Sequence, residues 1–354
     1  MEKGAIIRLI TVFTIFLTVI FYNLHYFLKT NIKQIENLGS ESLLTEVKTE
    51  DKLSDKPDNN AVVSETIKSQ EPQENALSQN VSQESVEASA EAVKGKIIEK
   101  YISPYSAPLS FNNVFLKNSS QADINLKNLL ESPLSFAIEE TAQPQVLIMH
   151  THTTESFMET DSEYYTEDYN SRNTDNSKNM VKIGEIIAQK LNSAGIKTLH
   201  DTTQHDNPQY SGSYSRSAKT VNSYLEKYPT IKIVLDLHRD SVSSGESDKV
   251  KLVTEIGGKK AAQVMLVMGS ESGTVTNFPN WQENLKLAVK LQQKFETLSP
   301  TLARPILLKS KKYNQHLTTG SLLLEIGTDA NTLEEASYSA ELVGSSLAEL
   351  LKEL

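Results

Sequence analysis

VLIMHTHTTE (146–155) decides the fold. Its first four residues read as a buried strand, and after a polar loop VKIGEIIAQKLNSAG (181–195) repeats its apolar residues at helical spacing and ends on Gly195 as a C-cap. A second strand, IKTLHD, begins at Ile196. SYSRSAKTVNSYLEKYP (213–229) reads as a Ser-capped helix and IKIVLDLH (231–238) as another fully buried strand. KLVTEIGG (251–258) and AAQVMLVMG (261–269) read as a pair of strands. A long amphipathic helix then runs from Asn280 to Leu298, between Pro279 and Pro300. SLLLEIG (321–327) is a last buried strand, and the terminal helix lies within 332–354. This alternation predicts an α/β fold, a mostly parallel sheet with helices on both faces. Such sheets carry their sites at the carboxyl ends of the strands.

Outward from this core, 145–354 is expected to be a catalytic domain and 98–144, of mixed composition with short apolar runs, a small adapter packed on it. Residues 34–97 read as a disordered acidic linker rich in Ser, Gln, Asn and Glu, with no Phe, Trp or Tyr between Phe27 and Tyr101. Thirteen acids against five lysines from Glu36 to Lys94 account for −8 of the chain's net −10. The acidic balance therefore describes the spacer and does not itself bear on nucleic acid, and no nucleic-acid partner is expected. Leu9 to Leu28 contains no Lys, Arg, Asp or Glu and at about 1.5 Å per residue spans one hydrocarbon core. Lys3 and Arg8 precede it, so residues 1–33 are expected to be an uncleaved transmembrane signal anchor, with the rest of this single-pass protein extracytoplasmic. A cleaved signal peptide is the alternative, weakened by the lack of a small-residue cleavage pattern.

The chain has no cysteine, which excludes thiol nucleophiles, disulfides and thiolate metal sites. Any metal must sit on His, Asp or Glu. Three strands deliver such residues at their carboxyl ends: His150, His152 and Glu155 after VLIM, His238 with Arg239 and Asp240 after IKIVLDL, and Glu325 in SLLLEIG. A hydrolytic zinc site needs three N or O ligands, one open position for water and a carboxylate outside the ligand set. His152, Glu155 and His238 fill the ligand roles and Glu325 that of the general base. His150 either joins the ligands or hydrogen-bonds one of them from behind, and Arg239 is a candidate to orient substrate or stabilise an oxyanion.

Beyond these spacings, VLIMHTHTTESF, HDTTQHDNPQYSGSYSRSAKTV, DLHRDS, FPNWQENLKLAVKLQQ and NQHLTTGSLLLEIGTDANTLEEA resemble the stage II sporulation protein P family over roughly residues 100 to 354. That family is similar to zinc-dependent N-acetylmuramoyl-L-alanine amidases of the cell wall, with a phosphorylase/hydrolase-like amidase fold. The resemblance implies a Zn2+ cofactor and a peptidoglycan substrate cut at the amide bond and at peptide cross-links. It also implies a role in spore engulfment at the septum, membrane attachment, and stage II sporulation protein D, a lytic transglycosylase, as partner. One departure stands out. Wall amidases place a ligand Glu at the start of the helix after the first strand, where this chain reads TDNSKNM with Asp175, Asn176 and Asn179. Either Glu155, in a His-x-x-Glu like that of zinc carboxypeptidases, or Asp175 is then the carboxylate ligand.

Other residues have plainer readings. His200 and His205 fit a polar loop lip, with a substrate contact open to His205, and His316 fits a loop cap. Arg239 and Asp240 fit a surface ion pair, and Arg216, inside a Ser-rich cap, is a candidate for a substrate carboxylate. Trp281 and Phe278 fit a helix-start staple or a sugar platform. Two rival functions remain: a dinuclear phosphoesterase using the His-x-His pair, and a wall-binding module with a dead site.

Overall fold

The computed structural model describes residues 92–139 and 141–354. The candidate anchor and the linker up to residue 91 lie outside these residues. Among the described residues no helix is long and apolar enough to cross a membrane.

The strands in chain order are β1 (Val93–Lys100), β2 (Leu109–Phe111), β3 (Val114–Ser119), β4 (Val146–Met149), β5 (Tyr164–Thr166), β6 (Thr198–His200), β7 (Ile233–Asp240), β8 (Ser243–Ser244), β9 (Asp248–Ile256), β10 (Lys259–Ala262), β11 (Val264–Gly269), β12 (Ile306–Lys309) and β13 (Gly320–Thr328). The helices are α1 (Leu126–Glu131), α2 (Met180–Ser193), α3 (Ser213–Lys227), α4 (Trp281–Leu298) and α5 (Leu333–Lys352).

The larger sheet has the order β2-β3-β12-β11-β13-β7-β4-β6. Its pairs are parallel except β2 with β3 and β11 with β13, so the mostly parallel α/β expectation matches. Strand alternation sorts the central residues between two faces. Val146, Ile148, Ile233, Leu235, Leu237, Leu322 and Leu324 pack with the apolar stripes of α2, α4 and α5. Leu147, Met149 and Val234 face the other way and pack with Val221 of α3. A fully buried Leu or Ile side chain contributes about 2 kcal/mol, and each central strand places several on these faces.

The smaller sheet runs β10-β9-β1-β5, with β8 on β9. Gln263 stitches it to the larger one, accepting from Ile102 N–H at 2.8 Å and donating to the carbonyls of Ile102 and Thr301 at 3.0 and 3.1 Å.

Four expectations need correction. Residues 93–97, read as linker, are strand, because β1 pairs in parallel with β9 from Ile97 to Lys100 and antiparallel with β5 from Val93 to Lys96. Segment 98–144 is no separate adapter, since β2 and β3 extend the larger sheet and Leu126, Leu129 and Leu130 of α1 join its core. The pair at 251–258 and 261–269 is divided between sheets. Gly257 and Gly258 have φ of 59° and 76° and turn β9 back into β10, which leaves β11 to enter the larger sheet. Finally, α3 begins on Gly212 at φ 78° with no side-chain cap, not on a serine.

Candidate metal centre

Loop 150–155 leaves β4 at its carboxyl end, and its threonines fix it in place. Thr151 donates from N–H and Oγ1 to Asp236 at 2.8 and 2.7 Å. Thr153 Oγ1 donates to the carbonyls of His150 and Thr203, and Thr154 Oγ1 donates to Asp206 at 2.7 Å. Fixed this way, the loop turns His152 and Glu155 toward His238 on β7.

Ligand-capable atoms of His152, Glu155 and His238 all lie within 4.8 Å of one another, and all three residues are buried. The Nδ1 atoms of His152 and His238 stand 3.3 and 3.5 Å from the two oxygens of Glu155. The imidazole rings cross at 87° with centroids 4.9 Å apart. The Arg239 N–H donates to Glu155 Oε2 at 3.1 Å, fixing the carboxylate from the backbone side.

Charge distribution fits a cation. Burial would raise the Glu155 carboxyl, but hydrogen bonds from His152 and His238 and the charge of Arg239 outweigh it and hold it well below its usual range. Burial would lower His238, yet Asp236 and Glu155 dominate and hold its imidazole well above the usual value. In the metal-free protein the proton on His238 thus supplies the positive charge that the carboxylates require. Two imidazoles and a carboxylate in this arrangement match the donor set of a zinc site. Metal uptake near neutral pH is therefore expected to release a proton from His238 and to tighten as pH rises. Calorimetry in buffers of different ionisation enthalpy checks this: a heat independent of buffer contradicts it.

Asp236 went unnoticed in the sequence. It shares a strand face with His238 two residues on, and its Oδ1 lies 3.0 Å from His238 Nε2, the nitrogen facing away from Glu155. A carboxylate behind a ligand imidazole orients the ring, and its loss weakens metal binding about 10- to 100-fold. Asp236→Asn is expected to do so here, read as the Kd for Zn2+ in competition with a chelator.

Glu325 sits on β13 in register with His238, on the same face of the sheet. Burial, then the charge of Asp240 and that of Glu155, push its carboxyl up to about 8 against the opposing pull of His238 and Arg304. Its Oε2 is buried without a hydrogen-bond partner.

His150 is not with the ligand cluster. By strand alternation it follows Val146 and Ile148 onto the α2 face, opposite His238. There its Nδ1 is 3.2 Å from the Leu237 carbonyl and its Nε2 2.9 Å from His200 Nε2. A Cβ on Gly184 would stand 2.8 Å from that ring, so only glycine admits it. Burial, reinforced by His200, lowers the His150 imidazole to about 3, so it stays neutral.

Arg239 is corrected too. Its guanidinium, one residue out of phase with His238, donates to the carbonyls of Ser156 and Ser171 at 3.1 and 2.7 Å and ties down the loop after Glu155. Asp240 pairs with Arg304 at 2.9 Å rather than with Arg239. Asp175 is exposed and accepts from Ser177 N–H and Oγ at 2.9 and 2.7 Å, outside the cluster. His205 is occupied by the His150 carbonyl and Thr220, and Arg216 by the carbonyls of His205, Gln209 and Ser211. Phe278 is fully buried, with His316 edge-on to it, and Trp281 packs on the core.

The aromatic lip comes from elsewhere. The Tyr210 ring lies 4.5 Å from that of His152 with the Arg172 guanidinium 4.5 Å above its own centroid, and Tyr214 meets His152 edge-on at 5.6 Å. Their spacing of four residues at a helix start is the only sequence signal for this lip.

Fold and site together define an α/β protein with a His–Glu–His cluster at the carboxyl ends of adjacent parallel strands. The chain belongs to the Stage II sporulation protein P family, whose model matches residues 22–348. A curated relative, Stage II sporulation protein P of Bacillus subtilis (strain 168), is 30% identical over 221 residues, which cover 58% of this chain and only half (50%) of the relative's length. Among solved structures, an N-acetylmuramoyl-L-alanine amidase from Clostridium difficile 630 aligns at a TM-score of 0.37 with 14% identity, over 60% of this chain and 97% of that one. Another, from Nostoc punctiforme, aligns at 0.35 with 11% identity, over 59% and 96%.

Proposed function

We propose that this chain is a zinc-dependent peptidoglycan hydrolase that cleaves the N-acetylmuramoyl-L-alanine amide bond, and peptide cross-links as a second activity. The observation that carries the reading is the buried His152–Glu155–His238 cluster with the Glu325 carboxyl beside it in register. The family's resemblance to wall amidases supplies the substrate class.

Zinc bound there would polarise the scissile carbonyl and bring the pKa of a water toward about 7. With the charge of a bound cation beside it drawing its carboxyl down into the ionised form, Glu325 would take the proton from the attacking water and deliver it to the leaving amine nitrogen. Asp236 holds the His238 ring in place, and the Arg239 N–H holds Glu155. The turn of His150 to the opposite face removes the His-x-His pair that a dinuclear phosphoesterase would use, and the intact set of four residues argues against a dead wall-binding module.

The span at Leu9–Leu28 supports anchoring in the cell membrane with the enzyme outside, and family membership supports action at the engulfing septum alongside stage II sporulation protein D. Mass spectrometry of purified peptidoglycan digested by the full-length protein in detergent tests the activity. Stem peptides with a free N-terminal alanine are the expected products, and an undigested wall in the presence of zinc contradicts the proposal.

A further inference from the structure

Amide hydrolysis builds negative charge on the carbonyl oxygen, and hydrogen-bond donors aimed at that oxygen are among the largest contributors to catalysis. Arg239, the donor expected from sequence, points its guanidinium away into backbone carbonyls. Arg304 has Nε and Nη2 without partners, but both atoms are buried, so no substrate reaches them. Arg172 is bound to Asp206 at 2.6 Å and lies over Tyr210.

Tyr214 remains. It stands in the first turn of α3, on the sheet face that carries Asp236, His238 and Glu325. Its backbone is pinned from two sides, with its carbonyl accepting from Asn314 Nδ2 at 2.8 Å and Ser217 Oγ at 3.1 Å. Its ring meets His152 edge-on at 80° on one side and Tyr313 at 6.4 Å on the other. These contacts hold the ring against the ligand cluster, on the sheet face that also carries Glu325.

We infer that Tyr214 is a catalytic residue whose hydroxyl donates a hydrogen bond to the carbonyl oxygen of the scissile bond as charge accumulates there. The phenol keeps its proton throughout. A neutral donor suits a site already crowded with carboxylates, because it stabilises the oxyanion without neutralising Glu325 or Glu155 by ion pairing.

The inference rests on the hydrolase reading, and its test separates the two. With full-length zinc-loaded protein and muropeptide fragments, Tyr214→Phe is expected to lower kcat about 100- to 1,000-fold, with KM and zinc stoichiometry unchanged. A phosphinate analogue of the scissile amide, whose charged oxygens mimic the tetrahedral state, should bind Tyr214→Phe more weakly than wild type by a similar factor in calorimetry. Incorporation of 3-fluorotyrosine at 214 keeps ring and donor and should restore both readouts, which guards against a folding defect in the Phe variant. An active wild type whose Tyr214→Phe variant matches it in kcat and in phosphinate affinity overturns the role of Tyr214 alone. An inactive zinc-loaded wild type overturns the hydrolase reading instead.

Discussion

His238→Ala is expected to lose bound zinc and hydrolytic activity together, activity falling by at least about a thousandfold. Three arguments converge on so large an effect. His238 faces both oxygens that matter, Glu155 on one nitrogen and Asp236 on the other. Its removal leaves two buried carboxylates without the cation or proton that balances them, and an unpaired buried charge costs several kcal/mol. With only His152 and Glu155 left, the donor set falls below the three that hold a hydrolytic metal. Metal content by mass spectrometry alongside turnover of muropeptides checks this. A variant that retains zinc yet loses activity would assign His238 to chemistry and not to binding.

Glu325→Gln is expected to separate the two properties. Zinc binding persists while kcat drops about 100- to 10,000-fold, the range for loss of a general acid–base group. A second readout follows from the raised carboxyl. In the folded metal-free protein Glu325 titrates at about 8 against a usual 4.5, so the folded state holds a proton that the unfolded chain gives up. Stability is lost as pH climbs above the unfolded value, and the loss grows until about pH 8. Gln removes that penalty. Metal-free Glu325→Gln should therefore exceed wild type in denaturant resistance by more at pH 8 than at pH 5, and an equal difference at the two pH values would contradict the buried, proton-holding carboxyl.

Much of this was readable before any coordinates. The runs 146–149, 231–238 and 321–327 form buried strands because their apolar residues fall on both faces of the sheet and helices on both sides supply the matching stripes, the polar Asp236, His238 and Glu325 sharing one face toward the strand ends. The rule that such sheets work at strand ends points to His152, Glu155 and His238, which the fold brings together, and to Glu325, which stands in register with His238. What escaped depended on backbone detail. The side of the sheet that His150 takes is fixed by where β4 stops alternating, one residue before the threonine turn. Gly257-Gly258 closes the run 251–258 and turns β9 into β10, whereas the run 261–269 joins the end of β10 to β11 across Gln263, where nothing apolar or turn-forming marks the change of sheet. β12 is four residues long and pairs with β3, some 190 positions away, so no local pattern announces its place. Arg239 and Arg216 are attractive charged residues in sequence, yet loops lacking a strand or helix partner claim their donors.

The most direct measurement is anomalous diffraction at the zinc edge from crystals of the zinc-loaded protein. One peak at about 2.0 to 2.2 Å from His152, Glu155 and His238 is the predicted result. No peak there, or a peak on the His150–His200 pair instead, would contradict it.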